Sequence, residues 1–354
     1  MKTMKSVKVT LCIPTYRRYE LLKSMVKDII NQPIKCSYEI LIINDSLFSS
    51  QIKMCKELSL KYSEVRYIQN KENLGLFRSL YHNFNEINGD YVIFPGDDDK
   101  LHETLIDRQV EILDKYSSVN LVAPCFNIVY VDERIELAKQ VKWTSPERFK
   151  IFSGSDIVLD YLGDQKKVHD QYSIVWPSIM FRKVALEQVD HFKNITKISG
   201  DTMVIVKILS MGDFAQIQDV LFDFRNFGGA LRELNSSNGT AFKERLEMIT
   251  KLEDFAHTSE KCCKALKEYD FIDFRKSFVR QSFSLNGSAV WLASHFKGSY
   301  FEKVKLIIIM FLEGIRIEPS ILLSVVTYIV LFSCLVFPPK LFFLLAKIYS
   351  YQNK

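Results

Sequence analysis

The sequence predicts an α/β fold for its first two thirds, and two patterns support this prediction. Short apolar runs alternate with stretches of helical length, an order that produces a mostly parallel sheet with helices on both faces. Polar residues directly follow several of these runs, at the carboxyl ends of the predicted strands, where ligands bind in such sheets. The last third lacks this alternation and is helical in pattern.

The predicted strands are apolar runs that end at turn-forming or polar residues. The first run is rich in β-branched residues and ends at Pro14, the second ends at Asn44 and Asp45, and the fourth ends at Pro95 and Gly96. Strands are predicted at residues 7–13, 38–43, 65–69, 90–94, 120–131, 174–181 and 214–224. Helices are predicted at residues 19–30, 50–62, 76–85, 105–115, 184–189 and 200–209. We therefore place an α/β domain at residues 1–235.

Length, charge and cysteine content argue against several other classes. The 354 residues suffice for one large domain with an appendage or for two domains. The 47 Lys and Arg residues are interspersed with 42 Asp and Glu, so the net charge of +5 does not predict nucleic-acid binding. The seven cysteines include no CxxC pair, which argues against a zinc or disulfide framework.

The C-terminal third divides into two segments. Residues 236–304 are predicted to be helical because apolar residues recur there at spacings of three and four. Residues 305–354 are predicted to associate with a membrane, since the stretch 319–339 has no charged residue and is close to the length that spans a bilayer. Whether residues 319–346 span the membrane, lie in it, or pack as a buried helix hairpin stays open.

The strongest chemical feature is the run of Asp97, Asp98 and Asp99 directly after an apolar strand. Three adjacent carboxylates repel one another unless water, cations or hydrogen-bond donors neutralise them. A solvated acidic turn is one interpretation. Their position on the same sheet edge as Asp45 favours the other, a Mg²⁺ or Mn²⁺ site with oxygen ligands.

An ordered series of motifs resembles the family 2 glycosyltransferases, an inverting class with the GT-A fold, of the type that builds bacterial surface polysaccharides. The series comprises IPTYRR at 13–18, NDS at 44–46, ENLG at 72–75 followed by Arg78, GDDD at 96–99, and the pair Gly200-Asp201. The resemblance covers roughly residues 7–232. It implies a Rossmann-like sheet that binds a nucleotide-diphosphate sugar, with helices on both faces and a helical C-terminal region.

The resemblance also implies the residues that bind the donor. These are Pro14, Thr15, Tyr16, Arg18, Asp45, Asn73, Arg78, Asp97 and Asp98. Asp45 is the residue expected to accept a hydrogen bond from the base. A turn residue remains the alternative for Asp45, and a solvated helix arginine the alternative for Arg78.

A divalent metal, Mn²⁺ or Mg²⁺, is implied at the acidic run. Asp99 and Asp98 are the expected ligands and Asp97 a supporting residue, while Gly96 stands where the family motif DxDD has its first aspartate. Because the leaving group is a nucleoside diphosphate, its developing charge must be neutralised in the transition state. Residues 222–229 contain no histidine, which leaves a third protein ligand open.

Asp201 is the implied general base, which removes the proton of the acceptor hydroxyl during direct displacement. A family Glu-Asp pair usually opens this helix, whereas Gly200 precedes Asp201 here. An N-terminal helix cap is the alternative role. Candidates for contact with the acceptor or the diphosphate are Trp176, Ser178, Arg225 and Arg232. Core packing is the alternative for Trp176.

The sequence therefore predicts transfer of a sugar from a nucleotide-diphosphate sugar to a glycan or polyprenyl-diphosphate-linked glycan in cell-surface polysaccharide synthesis, such as that of O-antigen. The expected location is the cytoplasmic face of the inner membrane, through a peripheral or monotopic C-terminal segment. Two alternatives remain. One is a non-catalytic, membrane-associated sugar-binding protein. The other is a sugar-phosphate nucleotidyltransferase, which should have a Gly-rich basic loop where IPTYRR stands.

Overall fold

A computed structural model of the chain describes residues 6–130, 132–138, 141, 143–163, 171–190, 192–197, 199–226, 240–283, 289 and 299–336. The chain divides into two compact units. The first comprises Met1–Phe227 and Thr258–Lys267, and the second comprises Gly228–His257 and Glu268–Lys354.

The first unit is an α/β domain. Its strands are β1 (Val9–Thr15), β2 (Tyr38–Asn44), β3 (Val65–Gln69), β4 (Tyr91–Ile93), β5 (Lys100–Leu101), β6 (Val119–Tyr130), β7 (Ile135–Leu137), β8 (Phe149–Phe152), β9 (Met180–Arg182) and β10 (Asp213–Asn226). Its helices are α1 (Tyr19–Ile30), α2 (Ser49–Lys61), α3 (Leu76–His82), α4 (Leu105–Lys115), α5 (Gly154–Gly163), α6 (Lys183–Gln188), α7 (Gly200–Leu209) and, after a segment of the second unit, Lys264–Lys267.

These strands form one mixed sheet in the order β3-β2-β1-β4-β9-β6-β10-β5, with β7 paired to β6 and β8 to β10. Strands β3, β2, β1 and β4 are parallel, as are β6 and β10. The short β9 runs antiparallel between β4 and β6. The α/β sheet with flanking helices that the sequence predicts is confirmed.

Burial explains why the apolar runs form the central strands. Side chains on both faces of β1 and β2 are buried, among them Leu11, Cys12, Ile40 and Leu41, because helices cover the sheet. Continuous apolar, β-branched runs suit such doubly covered strands. The polar residues that follow these strands therefore lie at the rim of a rigid sheet.

The strand predicted at residues 174–181 is wrong in its first half. Residues Trp176–Ser178 form a 3₁₀ turn, and β9 begins only at Met180. Pro177 has no N–H to donate to a neighbouring strand, and the Ser178 hydroxyl donates to the carbonyl oxygen of Val175. The short strands β5, β7 and β8 and helix α5 were not predicted.

The second unit is helical in its described part. It contains α8 (Thr240–Thr258, whose last residue lies in the first unit), α9 (Phe271–Ser282), α10 (Tyr300–Ile317), a 3₁₀ turn (Pro319–Leu323) and α11 (Val325–Val336). Ser299 caps α10 in a reciprocal capping box with Glu302. The core includes Phe242, Val279, Phe283, Ile307, Met310, Ile321 and Val330.

The apolar stretch that begins at residue 319 starts with the 3₁₀ turn, and α11 follows this turn. Within the described residues, no helix combines the length and the apolar character needed to cross a bilayer. One face of α10 and α11 packs in the helical core through Ile307 and Val330. Other apolar side chains of the same helices are exposed. Residues 337–354 lie outside the described part of the chain.

Candidate active site

Loops from four strands meet at one edge of the sheet in the first unit. β1 ends at Thr15, and the N–H of Asp45, which follows β2, donates to the Thr15 carbonyl oxygen over 2.9 Å. The acidic run follows β4, and the N–H of Arg225 near the end of β10 donates to Asp99 Oδ1 over 3.2 Å. The sequence prediction that these residues share an edge is confirmed by these contacts.

Asp97 and Asp98 share one cation. Arg18 Nη1 lies 2.7 Å from Asp98 Oδ2 and 3.4 Å from Asp97 Oδ1. The Thr15 hydroxyl donates to Asp97 Oδ2 over 2.7 Å. Burial raises the pKa of Asp97 to about 6, although the Thr15 hydroxyl and the Arg18 guanidinium act in the opposite direction.

Asp99 is held by the backbone. Its Oδ2 accepts from the N–H of Gly96 over 2.9 Å, and its Oδ1 accepts from the N–H of Arg225. Burial and the adjacent Asp98 carboxylate raise the pKa of Asp99 to about 8. The sequence predicted Arg225 as a contact of the acceptor or the diphosphate, and the structure brings its backbone N–H to the acidic run.

The glycine in GDDD has a steric explanation. A Cβ built on Gly96 would lie 2.7 Å from Asp99 Oδ2 and 3.0 Å from Asp98 Oδ1, which is closer than side chains pack. The two carboxylates turn back over the Gly96 backbone. A side chain at this position, such as the first aspartate of DxDD, would therefore require the Asp98 and Asp99 carboxylates to shift.

The acidic cluster, defined as Asp97, Asp98 and Asp99, suits a divalent cation that a substrate helps to bind. In the described part of the chain, no three His, Cys, Asp or Glu side chains form a metal ligand set. Mg²⁺ is commonly held by only one or two carboxylates together with substrate phosphates and water. When ionised, three carboxylates and Arg18 leave a charge of −2, so these residues fit a divalent ion with a diphosphate.

The raised pKa of Asp99 predicts a pH-dependent stability. The carboxyl titrates near pH 4 in the unfolded chain and near pH 8 in the folded protein, so the folded state binds more protons between these values. The free energy of unfolding should fall as the pH rises from 5 to 8, and Asp99→Asn should flatten this fall. Urea unfolding at four pH values measures the slope, and an unchanged slope in the variant would contradict the assignment.

Asp45 holds the loop before α3. Its Oδ1 accepts from the N–H of Leu74 and from Asn70 Nδ2, both over 2.9 Å, and its Oδ2 accepts from the N–H of Gly75 over 2.7 Å. Gly75 has a φ of 74°, a left-handed conformation that a glycine adopts without strain. The carboxylate is buried. Asp45 thus organises the ENLG loop.

A substitution at Gly75 tests this arrangement. Gly75→Ala should lower the free energy of unfolding by about 1 kcal/mol, because a side chain is disfavoured at positive φ. A steric clash would not cause this loss of stability, since a Cβ added to Gly75 meets no atom within 4 Å. Urea unfolding measures the loss, and a stability equal to wild type would show that the loop relaxes freely.

The remaining predicted donor residues lie on the surface near these loops. Arg78 is exposed in the first turn of α3 and makes no hydrogen bond or ion pair with the described residues. Asn73 accepts the N–H of Gly75 through Oδ1. Tyr16 is exposed, and the Arg17 guanidinium lies 5.0 Å from its ring centre and 4.3 Å from that of Phe48. Of the two arginines in the motif, Arg18 alone contacts the acidic cluster.

Asp201 lies in the first turn of α7, partly exposed. Its Oδ1 accepts from the N–H of Thr202 over 2.7 Å. The preceding Gly200 is buried against Phe77, whose ring carbon Cε2 would lie 2.7 Å from a Cβ at that position. A Glu-Asp pair would not fit here without displacing the ring.

Trp176 and Ser178 belong to the packing of the domain. Trp176 stacks on Phe94 with ring centres 5.4 Å apart and planes 12° apart, which is the core-packing alternative. Ser178 is fully buried, so the predicted contact of its side chain with an acceptor is wrong. Arg232 lies outside the described residues.

Sequence reasoning missed Gln51 in the first turn of α2. Its side chain is 1% exposed and donates through Nε2 to the Thr15 hydroxyl over 3.1 Å. Since the same hydroxyl donates to Asp97, Gln51 belongs to the support of the acidic cluster. A glutamine on a polar helix carries no sequence signal for this role.

Comparisons with known proteins show the fold and the family of this chain. The mixed sheet with flanking helices has the GT-A fold. The family model for glycosyl transferase family 2 matches residues 10–189, which is 180 of the 354 residues. The chain belongs to this family of glycosyltransferases.

Two curated relatives match different lengths of the chain. The cholesterol galactosyltransferase of Borreliella burgdorferi is 31% identical over 28% of this chain and 27% of its own length. The dolichol-phosphate mannosyltransferase of Pyrococcus furiosus is 24% identical over 70% of this chain and 64% of its own length. The chain thus spans less than two thirds of these relatives. Among solved structures, residues 1–349 of TarS from S. aureus in complex with UDP match with a TM-score of 0.57 and 14% identity, over 93% of this chain and 89% of that one.

Proposed function

We propose that the chain transfers a sugar from a nucleotide-diphosphate sugar to a hydroxyl of a glycan or lipid-linked glycan, with inversion at the anomeric carbon. The observation that carries the proposal is the acidic cluster beside Thr15 and Arg18, at the edge where the strands end. Family membership and the similarity to TarS, which has been crystallised with UDP and with UDP-GlcNAc, support a nucleotide-sugar donor.

The cluster suits the diphosphate end of such a donor. We propose that Asp98 and Asp99 hold Mn²⁺ or Mg²⁺ and that Asp97 supports them. The metal would stabilise the charge of the leaving diphosphate. Arg18 contacts two of the carboxylates and offsets the repulsion between them. The exposed Arg78 is a second cation for the donor.

In this proposal Asp201 acts as the general base. The acceptor hydroxyl attacks the anomeric carbon as the bond to the diphosphate breaks, and its proton passes to the Asp201 carboxylate. Direct displacement of this kind inverts the anomeric centre. Asp201 lies in the first turn of α7, at the end of the helix where the dipole is positive.

A thermal-shift screen tests the donor proposal. Full-length protein is heated with UDP-GlcNAc, UDP-galactose and GDP-mannose, each with and without Mn²⁺. A donor that binds the folded state raises the melting temperature, and we expect the rise to depend on Mn²⁺. Absence of a shift with every nucleotide sugar would favour a different function.

We propose further that the acceptor is linked to a polyprenyl diphosphate, in surface polysaccharide synthesis, and that the second unit brings the enzyme to the cytoplasmic face of the inner membrane. Its exposed apolar side chains support this proposal. Phe301, Ile308 and Leu312 lie on one face of α10, and Leu323, Ile329 and Phe332 lie in the following turn and helix. Such side chains bind the interface of a bilayer.

Leu323→Asp tests membrane association. The side chain is 87% exposed, so the fold should tolerate the change while sedimentation with vesicles of phosphatidylglycerol and phosphatidylethanolamine falls about tenfold. Leu60→Asp in α2 is the matched control, because Leu60 is also 87% exposed but lies in the α/β unit. If wild type does not sediment with vesicles, or both variants lose binding equally, this proposal is wrong.

A further inference from the structure

We infer that Phe77 is a positioning residue for Asp201. The inference rests on the proposed function, in which Asp201 is the base. Phe77 belongs to α3 and Asp201 to α7, two short helices far apart in the chain. Both lie in the first unit, and the ring of Phe77 packs directly against the residue that precedes Asp201.

The ring of Phe77 lies where a side chain at position 200 would have to be. A Cβ built on Gly200 would lie 2.7 Å from Cε2 and 2.8 Å from Cδ2 of the ring, nearer than side-chain atoms approach one another. The ring, together with Ile195 Cδ1 at 2.9 Å from the same Cβ, occupies the space that a larger residue at position 200 would need. This contact determines how closely the first turn of α7 approaches α3.

The ring of Phe77 is itself held from other sides. It is buried and stacks on Phe192 with ring centres 6.2 Å apart, and its edge contacts Trp176 at 6.1 Å. Phe77 is also the second residue of α3, directly after the loop that Asp45 holds through the N–H groups of Leu74 and Gly75. Phe77 thus connects the expected nucleotide loop to the turn that carries the base.

In a closely packed interior, the loss of one side chain shifts the residues that pack against it. Protein interiors contain few voids, so loss of the ring lets the first turn of α7 move toward the vacated space. A shift of about 1 Å in a reacting group can cost up to about 10²-fold in rate. Removal of the ring should therefore lower turnover while donor affinity, which the proposed function places on the acidic cluster, changes little.

The test compares two phenylalanines of one aromatic cluster. Phe77→Leu should lower kcat about tenfold with KM within about twofold, measured as nucleoside diphosphate release from UDP-GlcNAc, UDP-galactose and GDP-mannose. Phe84→Leu is the matched control, since Phe84 is buried and contacts Phe192 at 6.2 Å but is not among the atoms nearest Gly200. Its kcat should stay within about twofold of wild type. Equal losses in both variants would overturn the inference.

A double-mutant cycle separates positioning from general stability. On an Asp201→Asn background, Phe77→Leu should cause no further loss, because the group that it positions is already gone. A further tenfold loss would overturn the inference. If Phe77→Leu lowers the folded fraction, Gly200→Ala decides, since it displaces the same contact from the other side and should show the same pattern.

The outcomes distinguish this inference from the proposed function. Wild-type turnover in Asp201→Asn would show that Asp201 is not the base, and the positioning role of Phe77 would then fail with it. A large loss in Asp201→Asn together with wild-type turnover in Phe77→Leu would leave the base in place and overturn the positioning role alone.

Discussion

Asp201→Asn is expected to lower turnover by about 10²-fold or more while the affinity for the donor stays close to wild type. The reason is that the amide cannot accept the proton of the acceptor hydroxyl, whereas it fills the same space as the carboxylate. Its Oδ1 atom can still accept from the N–H of Thr202, so the first turn of α7 keeps that hydrogen bond. Steady-state kinetics and a thermal-shift titration with the donor measure the two quantities.

Asp156→Asn is the matched control for this variant. Asp156 lies in the first turn of α5, a helix of ten residues like α7, and its carboxylate likewise lies 3.5 Å from a neighbouring hydroxyl, that of Ser155. If Asp201 only stabilises its helix, both substitutions should cost a few tenths of a kcal/mol and neither should change turnover. Activity within a few-fold of wild type in Asp201→Asn would remove it from the mechanism.

The sheet could be predicted because local sequence patterns mark the strands at its centre. The runs that became β1 and β2 are nearly continuous in apolar residues, and helices cover both faces of these strands. The polar residues after them had to meet at one edge, since parallel strands share their direction. This is why Thr15, Asp45 and Asp99 could be predicted to lie close together.

Such local patterns do not predict contacts between segments that are distant in the sequence. The turn at Trp176, the two-residue β5 and the hydrogen bond from Gln51 to Thr15 depend on neighbours that local periodicity does not specify. The packing of Phe77 on Gly200 is of the same kind. The sequence showed that position 200 departs from the family pattern, but only the structure supplies the ring that explains the departure.

Asp99→Asn is expected to abolish the effect of Mn²⁺ on donor binding and to lower turnover by at least about 10²-fold, because a metal ion contributes several kcal/mol to stabilising a leaving diphosphate. Asp97→Asn should weaken the metal effect less. Asp97 accepts from Thr15 and Arg18, and these donors can be shared with an amide oxygen. Isothermal titration of the donor, with and without Mn²⁺, measures the effect in each variant.

The Asp99 carboxylate has a structural role that this experiment must control for. Both oxygens of Asp99 accept backbone N–H groups, so its loss could loosen the turn at Gly96 as well as remove a ligand. Asp98→Asn separates these effects, since Asp98 makes its ion pair with Arg18 and does not hold the turn through Gly96 or Arg225. Loss of the Mn²⁺ effect in both Asp98→Asn and Asp99→Asn, with melting temperatures near wild type, is the result expected of a metal site. Donor binding by the wild type that is independent of Mn²⁺ and Mg²⁺ would instead show that the acidic cluster works without a metal, with Arg18 as its counterion.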